Sequence, residues 1–194
     1  MRWRKGGWRG GSAGIHLAGL SCLGAAVLLV PSAAIGQVPA PGAVDLSAFA
    51  AVELPAGRLA DRVDAGFGPG GDVALNLPFG GISLVGSLIY VFASGAEGAP
   101  GAHLLHYSAA LEKDFTRIGP LRPVGVFADT GLGGFRFDPD EGPPTTDLAL
   151  HVGVGLELRR GPAVGLRFEL RDYVIFSEPE TLDALTLTAG IRIL

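Results

Sequence analysis

From about residue 58 onward the sequence predicts an all-β fold, an eight-stranded antiparallel up-and-down transmembrane β-barrel. Three observations carry that expectation. Apolar residues recur with period two through most of this region, which is the strand signal. Glycine, 31 of the 194 residues, is scattered through every apolar segment, where it disfavours helix interiors. No run of 18 apolar residues follows residue 36, so a bundle of membrane helices is excluded. A disordered chain is excluded as well: hydrophobic residues make up 48%, charged residues only 18%, and the mean hydropathy is +0.39.

The first element in chain order is a targeting segment, residues 1–36. Arg2, Arg4, Lys5 and Arg9 form a basic start, and no acid occurs before Asp45. The stretch Ile15 to Val30 is apolar, Pro31 and Ser32 break it, and Ala34-Ile35-Gly36 offers small residues for cleavage after Gly36. This is the layout of a secretory signal peptide. The apolar run of 16 residues is short of the roughly 20 needed to span a bilayer as a helix. Cys22 lies inside that run, with the strongest apolar stretch after it, which argues against lipidation. Removing the segment takes out the single Cys and leaves 11 basic against 19 acidic residues. A cysteine-free, acidic, exported chain fits an oxidising compartment and is a poor nucleic-acid binder. Residues 37–57, rich in Ala and Pro, read as a periplasmic lead-in with a short helix at most, and residues 58–194 as the barrel.

The strands follow. Two short ones, Asp61 to Gly68 and Asp72 to Pro78, come first. Ile82 to Ser94 sets Ile82, Leu84, Leu88, Tyr90 and Phe92 against Ser83 and Ser87. His103 to Thr116 sets Leu105, Tyr107, Ala109, Leu111 and Phe115 against His106, Ser108, Glu112 and Asp114, with Lys113 on the apolar side at a bulge or wet end. Leu121 to Phe137 sets Val124, Val126, Ala128 and Leu132 against Gly125, Asp129, Gly131 and Gly133. Phe127, Phe135 and Phe137 fall off that parity, which predicts a bulge. Leu148 to Leu158 opposes its even-numbered aliphatics to His151, Gly153, Gly155 and Glu157. Ala163 to Phe176 opposes Val164, Leu166, Phe168, Leu170, Val174 and Phe176 to Arg167, Glu169, Arg171 and Tyr173. The last strand opposes Leu185, Leu187, Ala189, Ile191 and Ile193 to Thr186, Thr188, Gly190 and Arg192. Tight turns are expected at Pro78 to Gly81, Arg117 to Pro120 and Arg160 to Gly161. Long polar loops are expected at Gly95 to Ala102, Asp138 to Thr146 and Ser177 to Asp183, and Gly68 to Gly71 is short where a long loop is due. Short turns at one end and long loops at the other is an outer-membrane layout.

Alternation alone does not separate a membrane barrel from a soluble one. The apolar faces are five or six residues long, matching the 9–11 residues a strand needs to cross a bilayer. The opposite faces mix both charge signs with glycine, and Lys113 is the only Lys after residue 36. A barrel with apolar faces outward and a charged interior follows. The alternative is a soluble periplasmic barrel with apolar faces inward around an apolar ligand. The signal peptide, the eight alternating strands and the terminal strand Leu185 to Leu194 together resemble the small OmpA/OmpX-like outer-membrane β-barrels over residues 58–194. That resemblance implies the cell outer membrane, with membrane lipid and the barrel-insertion machinery as partners. Such proteins usually end in an aromatic residue, where this chain has Leu194.

An eight-stranded barrel is just wide enough for its own side chains. The inward faces place Glu112, Asp114, Asp129, Glu157, Arg167, Glu169, Arg171 and Arg192 in the lumen. Buried charges must pair, so a structural salt-bridge network is expected there, with no cofactor, no metal and no catalytic residues. One alternative is enzymatic. His106-Tyr107-Ser108 puts His and Ser on one strand face, and the element is similar to one in the lipid A deacylase barrels, membrane esterases whose Ser attacks an ester. Here Glu112 lies about 20 Å from His106 at roughly 3.3 Å per residue, too far to orient it. Gly131-Leu132-Gly133-Gly134 lacks the Lys and helix of a phosphate loop. Asp138, Asp140 and Glu141 are oxygen ligands for Ca²⁺ or simply a solvated loop. Tyr90, Phe92, Tyr107, Phe115, Phe135, Phe137, Tyr173 and Phe176 are candidates for an interfacial girdle.

Overall fold

A computed structural model describes residues 42–78, 80–115, 124–159 and 164–193. The segment 1–36 read as a signal peptide, the turns expected at Arg117 to Pro120 and Arg160 to Gly161, and Leu194 lie outside the described residues. The strands are β1 (Val44–Ala56), β2 (Val63–Asn76), β3 (Ile82–Gly95), β4 (Ala102–Asp114), β5 (Val124–Pro139), β6 (Thr145–Arg159), β7 (Val164–Ser177) and β8 (Glu180–Ile193). Each pairs antiparallel with the next, and β1 also pairs with β8. The sheet is a closed up-and-down barrel. Closure leaves no strand edge with unpaired backbone groups, as a sheet in lipid requires.

The barrel begins earlier than residue 58. Val44–Ala56 lies in the segment read as a lead-in, and it is the strand that closes the barrel. Its pattern is the same period of two: Val44, Leu46, Val52 and Leu54 are exposed, whereas Asp45, Ala51 and Glu53 are buried. The alanines between them, Ala48, Ala50 and Ala51, weaken the contrast that marks a strand in sequence. The two short strands expected between Asp61 and Pro78 are one strand, β2. Gly68 to Gly71 is its middle and not a loop. Glycine is needed there because the barrel packs tightly against it. A Cβ on Gly68 would sit 1.8 Å from the Tyr90 carbonyl oxygen, and one on Gly70 would sit 2.2 Å from the Phe49 ring. The β2–β3 pairing passes over Gly68 and Pro69, consistent with the N–H that proline lacks.

Strand β5 carries no bulge. Its register with β4 and β6 is unbroken, and Phe127 and Phe135 point inward with Asp129, at 2% and 0% exposure. Glycines of the inner face make room for the rings. Gly155 stands opposite Phe127, and a Cβ there would lie 2.1 Å from the ring. The Asp138 to Thr146 loop is shortened, since β6 begins at Thr145. Ser177 to Asp183 is a tight hairpin, because Ser177 pairs with Glu180 across Glu178-Pro179. At the opposite end, the β4–β5 connection takes residues 115–123. Connection lengths therefore do not sort by barrel end.

The exterior is apolar along its length. Leu46, Phe67, Val73, Leu88, Leu132, Leu148, Val154, Phe168, Leu187 and Ile191 are all exposed. The interior holds the buried charges. A soluble barrel binding an apolar ligand would show the reverse, so that alternative is excluded. The interior also changes along the axis. At the end bearing both strand termini, Val44 and Ile193, it is charged. At the other end it is apolar, with Leu59 of the β1–β2 loop packed among Val63, Val91, Leu104, Ile175 and Leu182.

Candidate functional site

The lumen is the candidate site, and alternation explains how it is loaded. Every strand offers its odd or even residues to the inside, so side chains far apart in sequence converge on the axis. Arg192 on β8 reaches three strands at once. Its Nη2 is 2.8 Å from Asp45 Oδ2 on β1, and its Nη1 is 3.1 Å from Glu112 Oε1 on β4 and 3.2 Å from Glu157 Oε2 on β6. Asp45 also accepts a 3.1 Å hydrogen bond from Asn76 Nδ2, and Ser83 Oγ donates to Asn76 Oδ1 at 2.9 Å. The terminal storey is thus stitched from β1, β2, β3, β4, β6 and β8.

One step further along the axis, Arg167 Nη2 lies 2.6 Å from Glu112 Oε2 and 2.9 Å from Glu169 Oε2. Its guanidinium sits 3.7 Å from the centroid of the Phe127 ring, a cation–π contact in a desolvated setting. Arg171 donates to Glu169 through Nε and, at 3.1 Å, through Nη2. It also donates to Ser87 Oγ at 2.7 Å and lies 3.4 Å from Asp72 Oδ2. Ser87 Oγ in turn donates to Asp72 Oδ1 at 2.6 Å. All three guanidiniums are therefore shared between carboxylates on different strands. Planar forks with five donors suit that task, and an ammonium would not. Lys113, the odd residue of β4, donates to the Gly80 carbonyl in the β2–β3 turn, so it marks the terminal end of the strand and not a bulge.

Above the charges lies a storey of rings. His106 Nε2 is 2.6 Å from Glu53 Oε2, and both residues are buried. The His106 ring stands 4.9 Å from that of Phe135 and 4.5 Å from that of Tyr173. Tyr173 also stands 5.1 Å from His151. His151 Nε2 lies 3.0 Å from Asp129 Oδ1. The apolar storey with Leu59 covers these rings.

The seven residues expected in the lumen, Glu112, Asp129, Glu157, Arg167, Glu169, Arg171 and Arg192, are all inside, and the ion pairs above bring six of them together; Asp129 meets His151 instead. Asp114 is half-buried at the strand end. Asp45, Glu53, Asp72 and His151 belong to the same interior but were not singled out. Asp45 and Glu53 alternate with aliphatics in β1, which is the signal that would have found them. The partner of His106 is Glu53 and not Glu112, and His106 Nδ1 and Ser108 Oγ make no hydrogen bond to each other or to any other group among the described residues. Gly131 to Gly134 lies within β5. Asp138 pairs with Arg136 and Asp140 with His103 on the exposed rim, at 3.5 Å each, and no metal-binding group of three occurs among the described residues. Of the aromatic residues, Tyr90, Phe92, Tyr107 and Phe176 face outward, whereas Phe135, Phe137 and Tyr173 pack inside. An even girdle is therefore not formed from this set.

No family model and no curated protein sequence matches the chain. Solved structures do. The crystal structure of Neisserial surface protein A is similar at TM-score 0.61 and 20% identity, covering 77% of this chain and 96% of that one. The outer-membrane protein OprG from Pseudomonas aeruginosa is similar at TM-score 0.53 and 10% identity, covering 77% and 94%. The chain has the fold of these small outer-membrane barrels, with an apolar exterior around a charged interior.

Proposed function

We propose that this chain is an outer-membrane β-barrel with a structural or surface-interaction role, its lumen filled by a salt-bridge network. The observation that carries the reading is the inversion of polarity: buried arginines and carboxylates shared across strands inside, aliphatic side chains outside. Lipid of the outer membrane is then the partner of the outer belt, and the barrel-insertion machinery the route of entry. Ion pairs cross the axis in the charged storey and Leu59 packs across the apolar one, which favours a support or contact role over conduction. Esterase chemistry at His106 and Ser108 is disfavoured for two physical reasons. Both residues face the lumen and not the lipid, and a nucleophilic Ser needs a hydrogen bond to its base that is missing here.

The test is fractionation followed by gel electrophoresis with and without boiling, and conductance in a planar bilayer. The expected result is an outer-membrane band that shifts on boiling and a membrane current at baseline. A soluble band without a shift would overturn the membrane reading, and steady channel events would overturn the filled lumen. Ester hydrolysis lost on Ser108→Ala would reinstate the enzyme.

A further inference from the structure

Two carboxylates interrupt the apolar exterior on one side of the barrel. Asp172 of β7 stands between the buried Arg171 and Tyr173, and Asp183 of β8 between the buried Leu182 and Ala184, so both have the outward parity. Val174 pairs with Asp183 and Asp172 with Leu185, which makes the two acids diagonal neighbours on one outer face. Among the described residues, neither acid has a hydrogen-bond or ion-pair partner. An ionisable side chain on a wall that meets lipid is costly until a donor reaches it.

The same wall carries a matching cation three strands away. Arg136 of β5 points outward beside the inward Phe135, with Leu105 opposite it on β4. Its side chain is 45% exposed, and its contact to Asp138, at 3.5 Å, is with a side chain 44% exposed. An exposed pair of that kind holds it weakly. The register sets its level. Passing from partner to partner, Leu46 on β1 leads through Leu132 on β5 and Asp183 on β8 back to β1 at Ala56, ten residues higher than Leu46 after eight strands. That is a climb of about 1.25 residues per strand, the stagger of a closed, tilted sheet. Asp183 lies three strands past Leu132, so it stands about four residues higher than Leu132, level with Arg136. Asp172 lies about three residues beneath it.

We propose that the barrel associates with a second copy of itself, Arg136 of one copy docking on the Asp183 face of the next, with Asp172 adding to the negative charge of that face. Copies inserted into one membrane share an orientation, so groups at the same level meet when the walls touch. Both faces are otherwise apolar around the charges, Leu105 and Leu148 near Arg136, Val174 and Phe176 near Asp183. Lipid withholds water from both groups in the single barrel, so pairing them offsets a cost that each bears alone. A two-fold contact would set Asp183 against Asp183. The contact is therefore heterologous, and one copy can use both faces at once. The proposal rests on the membrane reading above and names a partner for the outer wall.

The experiment is sedimentation equilibrium of the folded, full barrel in density-matched detergent micelles, with the heat shift on a gel as the fold control. The expected wild-type mass rises with the protein-to-detergent ratio past that of two barrels. Arg136→Gln, and Asp172→Asn combined with Asp183→Asn, should each weaken association about tenfold or more while the heat shift persists. If one of them does not fold, the other carries the comparison. Mixed in equal amounts, the two variants retain one intact contact between them and should form dimers and nothing larger. A wild-type barrel that stays single at every ratio leaves the acids to lipid headgroups or water and overturns the proposal. Association unmoved by either variant, a mixture that does not pair, or a mixture that builds beyond dimers overturns it as well. A wild-type chain that is soluble without detergent, or shows no heat shift, would instead fault the membrane-barrel reading beneath it.

Discussion

Arg192→Met is the perturbation that bears most directly on the lumen network. Arg192 spans the axis from β8 to Asp45, Glu112 and Glu157, and its side chain is 5% exposed, so solvent screens it little. Removing one partner of a buried ion pair costs about 3–5 kcal/mol, because the other charge stays behind. Glu112 keeps support from Arg167 and Asp45 from Asn76. The cost should therefore fall near the low end, about 3 kcal/mol, or on the order of a hundredfold in the folding equilibrium. Arg192→Lys retains the charge, but one ammonium does not span three carboxylates, so an intermediate loss is expected. Trp3 and Trp8 both lie in the first 36 residues. Tryptophan fluorescence is thus no reporter for a processed chain, and urea titration followed by gel shift or far-ultraviolet circular dichroism is the assay. With a slope of about 1–3 kcal/mol per molar, the urea midpoint should fall by roughly 1–3 M. A midpoint unchanged or raised in Arg192→Met would refute the claim that this guanidinium holds the terminal storey together.

Two further outcomes test the wall and the exterior. Gly133→Ala should lose about 1–3 kcal/mol, since its Cβ would fall 1.9 Å from the Tyr107 carbonyl oxygen, whereas Gly86→Ala, with open space around the new atom, should stay within about 0.5 kcal/mol; equal midpoints would contradict the packing. Leu132→Arg, at a position 60% exposed on β5, should cost about 2–4 kcal/mol in lipid if it sits near the bilayer midplane. A neutral or stabilising result in vesicles would mean that this face meets water.

Much of the wall was legible in the sequence, and where it was not, composition hid the period. From Val164 to Arg171 in β7 and from Leu185 to Ile193 in β8, apolar residues alternate with polar residues or glycine, so the inward residues Arg167, Glu169, Arg171 and Arg192 could be placed by parity alone, and Asp172 alone breaks the apolar face of β7. In β1 alanines stand at both inner and outer positions, and an Ala- and Pro-rich segment reads as a linker although Asp45 and Glu53 keep the parity. In β2 four glycines within Gly66 to Gly71 imitate a turn. Their purpose is close approach to neighbouring strands, which a single sequence does not display. In β5 the phenylalanines share the parity of Asp129 and Gly131, opposite to that of the apolar face, and the glycine that receives Phe127, Gly155, lies on β6.

The sequence by itself determined the class of the fold and the sidedness of most residues, because a strand has a period of two and each side chain must choose exterior or lumen. Only the tertiary structure decided who meets whom. His106 finds Glu53 across 53 residues and Arg192 finds Asp45 across 147, separations that follow from barrel closure and strand stagger. It also decided that the lumen is divided into charged, ring and apolar storeys. Height along the axis depends on the register of each strand against its neighbours, which parity does not encode.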